Sequence, residues 1–187
     1  MKRRQFIGKS LVASSLLSLP TLGQDISKSK ERPNKYVLTK LDTDRLDEHF
    51  GGGTKNLLKL SGKDTDGDMA IFEVYSAENT RGPMLHIHHK QDEHITIMEG
   101  EYIYQVGEER IGLKAGDNLF LPRGVPHGFI HIGKGLGRKM SIFQPAGQIE
   151  DFFRALGKES PPFTAQKMQR LMALNDMEVA GPPIQGE

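Results

Sequence analysis

Residues 82–100 read GPMLHIHHKQDEHITIMEG, and they hold four of the chain's seven histidines between two apolar runs. A second stretch, GDNLFLPRGVPH at residues 116–127, adds another histidine behind a Pro-x-Gly turn. Neutral imidazoles together with a carboxylate are ligands that borderline divalent metals prefer. The two stretches therefore indicate a metal site built from short extended segments.

Strand geometry predicts which of these side chains face the same way. Residues two apart in a β-strand point to one side of the sheet, so His86 and His88 share a face while His89 lies on the other. Glu93 opens the next apolar run and His127 begins a third. Three neighbouring strands can thus direct these four predicted ligands into one interior. A His-x-His pair alone is also common on polar sheet surfaces, so the hypothesis depends on all three segments.

Short apolar runs separated by glycine-containing turns continue on both sides of this region. The predicted strands are residues 55–60, 69–76, 84–88, 94–98, 102–106, 110–113, 118–121, 127–132 and 139–144. Many short strands at close spacing are typical of an all-β sandwich or barrel. The apolar residues that we expect to line its interior are Met84, Ile95, Ile97, Phe120, Phe129 and Phe143, although ordinary core packing explains them equally well.

The pattern changes after Gly147. Ile149, Phe152 and Leu156 recur at helical spacing, and a second apolar stripe follows Thr164, which is a good N-cap residue. These stripes predict helices that pack against the barrel. Residues 146–187 are accordingly predicted to form a C-terminal helical extension.

The spacing of the two histidine-containing stretches resembles the paired sequence motifs of the cupin superfamily. The matching positions are Gly82, His86, His88, Glu93, Gly100, Gly116, Pro122, Gly124 and His127. The resemblance spans residues 54–145 and implies a small antiparallel jelly-roll barrel. Two features depart from the family pattern: only three residues separate Gly82 from His86, and His131 stands where the family often has Asn.

The resemblance implies the chemistry of the site. His86, His88, Glu93 and His127 would be the ligands of one divalent transition metal, either Fe, Mn, Ni or Zn. The C-terminal tail also resembles single-domain cupins of the quercetin dioxygenase-like group. In that group a residue equivalent to Glu93 would both bind the metal and take a proton from the substrate, so Glu93 is the predicted catalytic residue.

Three functions remain open from the sequence. The first is a metal-dependent dioxygenase or related oxidoreductase that acts on a small phenolic or enolic molecule. The second is a non-redox isomerase or hydrolase that uses the ion as a Lewis acid. The third is a cupin that binds a small molecule without turnover. The fold does not decide among them, because many functions share this barrel.

The N-terminal 23 residues have the features of an export signal. A basic start at Lys2, Arg3 and Arg4 precedes a short apolar, serine-rich run that ends at Pro20. The arginine pair followed by Phe6 resembles a twin-arginine signal. We therefore expect export to the periplasm or beyond, with residues 24–53 forming a tether and an N-terminal arm.

Charge and cysteine content exclude several classes of partner. Without residues 1–23 the chain has 21 basic and 24 acidic residues, since only Lys2, Arg3, Arg4 and Lys9 are charged there. No basic stripe remains for nucleic acid. The chain has no cysteine and so no disulfide or lipidated cysteine anchor. We expect a small-molecule ligand and a homodimer that covers exposed strand edges.

Overall fold

The structure is a computed structural model that describes residues 35–41, 43–46, 53–160 and 162–186. These residues form ten β-strands and two α-helices: β1 (Thr54–Leu60), β2 (Ala70–Ser76), β3 (His86–His88), β4 (Asp92–Glu99), β5 (Glu101–Val106), β6 (Glu109–Lys114), β7 (Asn118–Leu121), β8 (His127–His131), β9 (Gly137–Gln144), α1 (Ile149–Lys158), α2 (Ala165–Ala173) and β10 (Met177–Val179). The predicted export signal, most of the predicted tether and His49 lie outside the described residues.

The strands form two five-stranded sheets, in the orders β1-β2-β9-β4-β7 and β10-β3-β8-β5-β6. Every pairing between these strands is antiparallel. Along β9 the side chains of Lys139, Ser141 and Phe143 are buried, and those between them are half-buried. This alternation places one face of each strand inside the barrel. The predicted all-β jelly roll with C-terminal helices is confirmed.

Two clusters of buried apolar side chains fill the fold. One lies between β4–β8 and consists of Ile95, Ile97, Tyr102, Tyr104, Leu113, Leu121 and Phe129. The other joins the first sheet to the helices and consists of Leu46, Leu58, Ala70, Phe72, Val74, Phe143, Ala146, Ile149, Phe152, Leu156, Leu171, Met172 and Met177. The helices are therefore part of the core, as their apolar stripes predicted.

The C-terminal region contributes a strand as well as two helices. Thr164 caps α2, because its Oγ1 accepts a hydrogen bond from the Lys167 backbone N–H at 3.2 Å. After α2 the chain turns, and β10 pairs with β3, with Met177 opposite His88 and Val179 opposite His86. The sequence analysis did not predict β10. It consists of only three residues. They form a strand because they pair with the free edge of β3.

The N-terminal arm runs beside β1 where it is described. The Thr39 hydroxyl donates to the Lys59 carbonyl oxygen at 2.7 Å, and Asp44 accepts from the Leu58 backbone N–H at 2.8 Å. Tyr36 and Leu38 of the same arm remain largely exposed. In the described part of the chain, neither helix has the length and apolar content needed to cross a membrane.

Candidate metal centre and ligand cavity

The four predicted ligands come from both sheets. His86 and His88 lie on β3, and His127 lies on β8 directly opposite His86. Glu93 lies on β4 of the other sheet, where Leu121 and Phe143 are its cross-strand partners. The barrel fold thus brings together residues that are 41 positions apart at most, and all four are buried.

The three imidazoles form a tight cluster. One ring nitrogen of each of His86, His88 and His127 lies within 4.8 Å of those of the other two. Glu93 reaches the edge of this cluster, with its Oε2 3.4 Å from His127 Nε2. The sequence analysis therefore chose side chains that do meet at one point; their role as ligands remains a prediction.

Hydrogen bonds to the other ring nitrogens fix the tautomers of the imidazoles. His86 Nδ1 faces the Met84 carbonyl oxygen at 2.9 Å, and His127 Nδ1 faces the Val125 carbonyl oxygen at 3.0 Å. A carbonyl oxygen can only accept, so each Nδ1 must carry the hydrogen. In the neutral imidazole each Nε2 then keeps its lone pair, which is the form that binds a metal.

Gln91 orients the third imidazole in the same way. Its amide Nε2 donates to the carbonyl oxygen of Ala146, and its Oε1 therefore faces His88 Nδ1 at 3.2 Å. His88 Nδ1 must then be the donor, and its Nε2 also keeps a lone pair. Partners of this kind hold a ligating imidazole in its orientation and tautomer.

The resulting arrangement fits a divalent cation. His127 Nε2 is buried and, within the described residues, has no hydrogen-bond partner. In the neutral imidazole this nitrogen carries a lone pair that faces the Glu93 carboxylate. A cation satisfies both groups, either a proton on the ring or a bound metal ion. Three imidazole nitrogens and one carboxylate are a donor set that suits Fe, Mn, Ni or Zn.

The pKa values of the site residues favour the protonation states that bind a cation. Burial lowers the pKa of His86 well below its ordinary value of 6.5 and the pKa of His88 to about 4. Burial alone would raise the pKa of Glu93, but a hydrogen bond from His127 and the charges that His127, His88 and Lys139 carry when protonated lower it to about 2. Near neutral pH the site therefore presents two neutral imidazoles and an ionised carboxylate.

A cavity of about 560 Å³ opens on this cluster. Its apolar wall includes Met84, Phe72, Phe129, Phe143, Phe152 and Phe153. A volume of this size is typical of sites for small organic molecules. The helix α1 thus closes one side of the cavity with two aromatic rings that the sequence analysis assigned only to packing.

The predicted lining was right in part. Met84, Phe129 and Phe143 line the cavity, whereas Ile95 and Ile97 are fully buried in the barrel core and are not among its lining residues. Phe120 was wrongly placed, because 58% of it is exposed. It alternates with the inward-facing residues of β7 and therefore points to solvent.

Several polar residues of the cavity were not predicted from the sequence, and two of them contact each other. Lys139 on β9 and Tyr104 on β5 both line it and are almost fully buried. The Lys139 Nζ donates a hydrogen bond to the Tyr104 hydroxyl. Strand alternation could have found Lys139, since it shares a face with Ser141 and Phe143.

The Lys139→Met variant is expected to be more stable than the wild type near and below pH 7. Burial lowers the pKa of Lys139 from 10.5 to about 7, although Glu93 opposes this shift, and the neighbouring hydroxyls of Tyr102 and Tyr104 carry no charge in this range. The unfolded chain therefore binds a proton here up to about pH 10.5, while the folded protein releases it near pH 7. The free energy of unfolding should rise with pH across that window.

Replacing Lys139 by Met should remove this slope and add a few kcal/mol at pH 6. Urea unfolding of both proteins at pH 6, 7.5 and 9 measures the difference between them. Parallel pH profiles for the two proteins would mean that the amine is not desolvated in the fold.

The other described histidines lie away from the cluster, as strand parity predicted for His89. His89 is exposed and forms an ion pair with Glu178 at 3.2 Å, and His94 is half-buried on the outer face of β4. His131 is fully buried and its ring packs on Tyr102 with 4.8 Å between ring centroids. A Cβ on Gly100 would collide with His131, so that glycine is required there. His131 Nδ1 also faces the Ala77 carbonyl oxygen at 2.9 Å, so the described contacts of this ring are with Ala77, Tyr102 and the glycine turns.

Comparisons with known proteins agree with the fold. Residues 72–143 match the Cupin_2 family model, described as a cupin domain. Over 115 residues the chain is 29% identical to the HTH-type transcriptional regulator PuuR of Escherichia coli, and the match covers 62% of this chain and 60% of that protein. The PuuR of Shigella flexneri matches to the same extent. The chain thus spans about 60% of the length of these curated relatives.

Solved structures resemble the fold at low sequence identity. An RmlC-like cupin from Shewanella frigidimarina superimposes with a TM-score of 0.50 and 22% identity, over 60% of this chain and 93% of that one. A sugar phosphate isomerase of the cupin superfamily from Silicibacter pomeroyi gives a TM-score of 0.48 and 18% identity, over 57% of this chain and 75% of that one. The likeness to the Shewanella protein is a likeness of fold.

Proposed function

Residues 72–143 are a cupin domain of the Cupin_2 type, and on that premise we propose that the protein is a metal-dependent oxidoreductase of the dioxygenase kind, acting on a small phenolic or enolic molecule. One observation carries the proposal: buried imidazoles and a carboxylate converge at the wall of an aromatic cavity. Such a site holds a metal where an apolar molecule with one acidic oxygen can also bind.

The protein's own residues would perform three tasks in this reaction. A redox-capable ion bound at the cluster supplies Lewis acidity and electron transfer. His86, His88, His127 and Glu93 would hold it, and the aromatic wall would exclude water from the bound molecule. Glu93 is ionised near neutral pH, so its carboxylate is able to accept the substrate's hydroxyl proton once the two are within hydrogen-bond reach.

Oxygen uptake tests this proposal directly. The protein is loaded separately with Fe(II), Mn(II), Ni(II) and Zn(II), and each form is mixed with a panel of catechols, flavonols and enolic acids in an oxygen electrode. We expect uptake that depends on both the metal and one class of substrate. Turnover by the zinc form without oxygen uptake would instead support a non-redox isomerase or hydrolase, and no turnover in any form would contradict an enzymatic role.

A second candidate function is binding of a small molecule without turnover. The similarity to PuuR supports it, because that relative is described as a transcriptional regulator. The same cavity would then serve as a sensor or carrier site. Ligands that raise the melting temperature of the protein but are recovered unchanged after long incubation with every metal form would favour this candidate.

A homodimer is part of the proposal. β1 is an edge strand of its sheet, and the arm beside it exposes Tyr36, Leu38 and Leu41 at 85%, 74% and 60% of their surfaces. The arm covers part of this edge, and its exposed apolar side chains are suited to pack against the same surface of a second copy. Light scattering of the purified protein should give twice the chain mass; a monomer mass at micromolar concentration would contradict it.

Export through a twin-arginine-type signal also remains a proposal, supported by the sequence of residues 1–23. Replacing Arg3 and Arg4 with lysine should block that route. Fractionation of cells that express each form measures the result. Equal amounts in the periplasm would contradict dependence on the arginine pair.

A further inference from the structure

Lys139 carries a buried amine that is a cation below about pH 7 and that the metal centre does not use. It is 2% exposed, and its Nζ lies 3.3 Å from the centre of the Phe129 ring and 5.0 Å from that of Tyr104. Its hydrogen-bond partner is the Tyr104 hydroxyl. Among the described residues no carboxylate lies within 4.0 Å of this Nζ, so the ammonium has aromatic and hydroxyl neighbours but no direct counter-ion.

An unpaired buried ammonium is costly to a fold. Desolvation of a charge costs several kcal/mol unless a counter-ion offsets it. Glu93 is the acidic residue whose charge acts on Lys139, but Glu93 contacts His127 and belongs to the predicted metal centre. An apolar side chain of similar length would fill the same space without the cost of desolvating an amine. The cost is explained if an anion enters the cavity and binds here.

Tyr104 is arranged to bind the same anion. Its hydroxyl accepts from Lys139, and no acceptor for its own hydrogen exists among the described residues. Burial raises the pKa of Tyr104 well above 10, so the hydroxyl keeps that hydrogen. An incoming oxyanion would therefore receive one hydrogen bond from the ammonium and one from the hydroxyl, which are strong when the acceptor is charged.

The other residues that line the cavity indicate what the remainder of the ligand would be. Both the imidazole cluster and Lys139 line the same space, together with the rings of Phe72, Phe129 and Phe143. One part of the cavity is thus suited to a metal-binding oxygen, another to an anion, and the wall to a planar apolar group. A small aromatic or conjugated carboxylic acid has all three features.

We propose that Lys139 and Tyr104 form an oxyanion-binding subsite that makes this cavity selective for small organic acids with an aromatic or conjugated body. The proposal deepens the proposed function, because it names the substrate class of that site. Lys139 acts as a specificity residue. It binds the carboxylate of the ligand, so that the reactive oxygen of the ligand faces the metal centre.

Calorimetric binding to metal-free protein tests the subsite without any turnover. The full chain is stripped of metal with a chelator and titrated with benzoate and cinnamate, and then with their neutral primary amides. We expect each acid to bind at least 10-fold more tightly than its amide, because charge-assisted hydrogen bonds to a buried ammonium are strong. This comparison needs no variant, and equal binding of acid and amide, or no binding of either acid, would overturn the proposal.

Variants then assign the preference to the two residues. Lys139→Met should weaken binding of the acids by roughly 10–100-fold and change binding of the amides by less than about twofold. Tyr104→Phe should weaken acid binding less, by roughly 5–10-fold. Lys134→Met is the matched control, since Lys134 is exposed and carries the same charge. Unchanged acid binding in folded Lys139→Met protein would also overturn the proposal.

The test separates this inference from the proposed function. Acid preference in metal-free protein that consumes no oxygen would support the subsite while the oxidoreductase proposal fails. Oxygen uptake with a neutral phenol, unchanged in Lys139→Met, would support the oxidoreductase while the subsite proposal fails.

Discussion

The His88→Ala variant is expected to lose metal binding almost completely. His88 is 2% exposed, lies in the three-imidazole cluster and has its Nδ1 held by Gln91. Loss of a residue that merely orients a ligand costs roughly 10–100-fold in metal affinity, so loss of the ligand itself should cost more than about 100-fold. Elemental analysis of wild type and variant after dialysis against equal metal measures the effect.

The melting temperature should fall together with the metal content. An ion that binds only the folded state adds about 2.7 kcal/mol to its stability at a concentration 100 times the dissociation constant. His89→Ala is the matched control, since His89 is the next residue, is exposed and pairs with Glu178 outside the cluster. It should keep full metal content. Equal metal content in the two variants would reject His88 as a ligand.

The Phe72→Ala variant is expected to lose about 3–5 kcal/mol of unfolding free energy. Phe72 on β2 is fully buried, and its ring packs 4.8 Å from that of Phe153 and 5.9 Å from that of Phe143. The truncation leaves a void between the sheet and α1 that the rigid strands cannot close. Urea denaturation followed by circular dichroism measures the loss.

Phe120→Ala provides the comparison, because the same substitution is made at a residue that is 58% exposed. Its cost should stay within about 0.5–1 kcal/mol. The contrast also tests the orientation of β7, since a large loss at Phe120 would place that ring inside the barrel after all. Similar losses at both positions would contradict the described packing of Phe72.

The strands were predictable because they carry their own local signals. Apolar runs bounded by Gly100, Gly107 and Gly116 indicated β4, β5 and β6 to within a few residues. β10 carried no such signal, because Met177–Val179 is short and follows a helical stripe. It becomes a strand by pairing with β3, about 90 positions away in sequence, and local propensity does not encode a partner at that distance.

The imidazole cluster was predictable for a related reason. The period of two along a strand decides that His86 and His88 share a face and that His89 does not. The resemblance to the cupin motifs added Glu93 and His127 from separate segments. The structure brings the four side chains together, with His127 opposite His86 and Glu93 reaching across from the second sheet.

Sequence alone determined the fold class and the strand faces, because alternation and turn residues act over a few neighbouring positions. The resemblance to the cupin motifs added the full set of four side chains that converge. Tertiary structure alone decided which of those faces became cavity and which became solid core. Strand alternation places Lys139 on the same face as Ser141 and Phe143, but only the assembled sheet, in which β9 lies between β2 and β4, makes this face a wall of the cavity. Whether a side chain is buried depends on which distant strands and helices pack against it. That packing exists only in the assembled barrel.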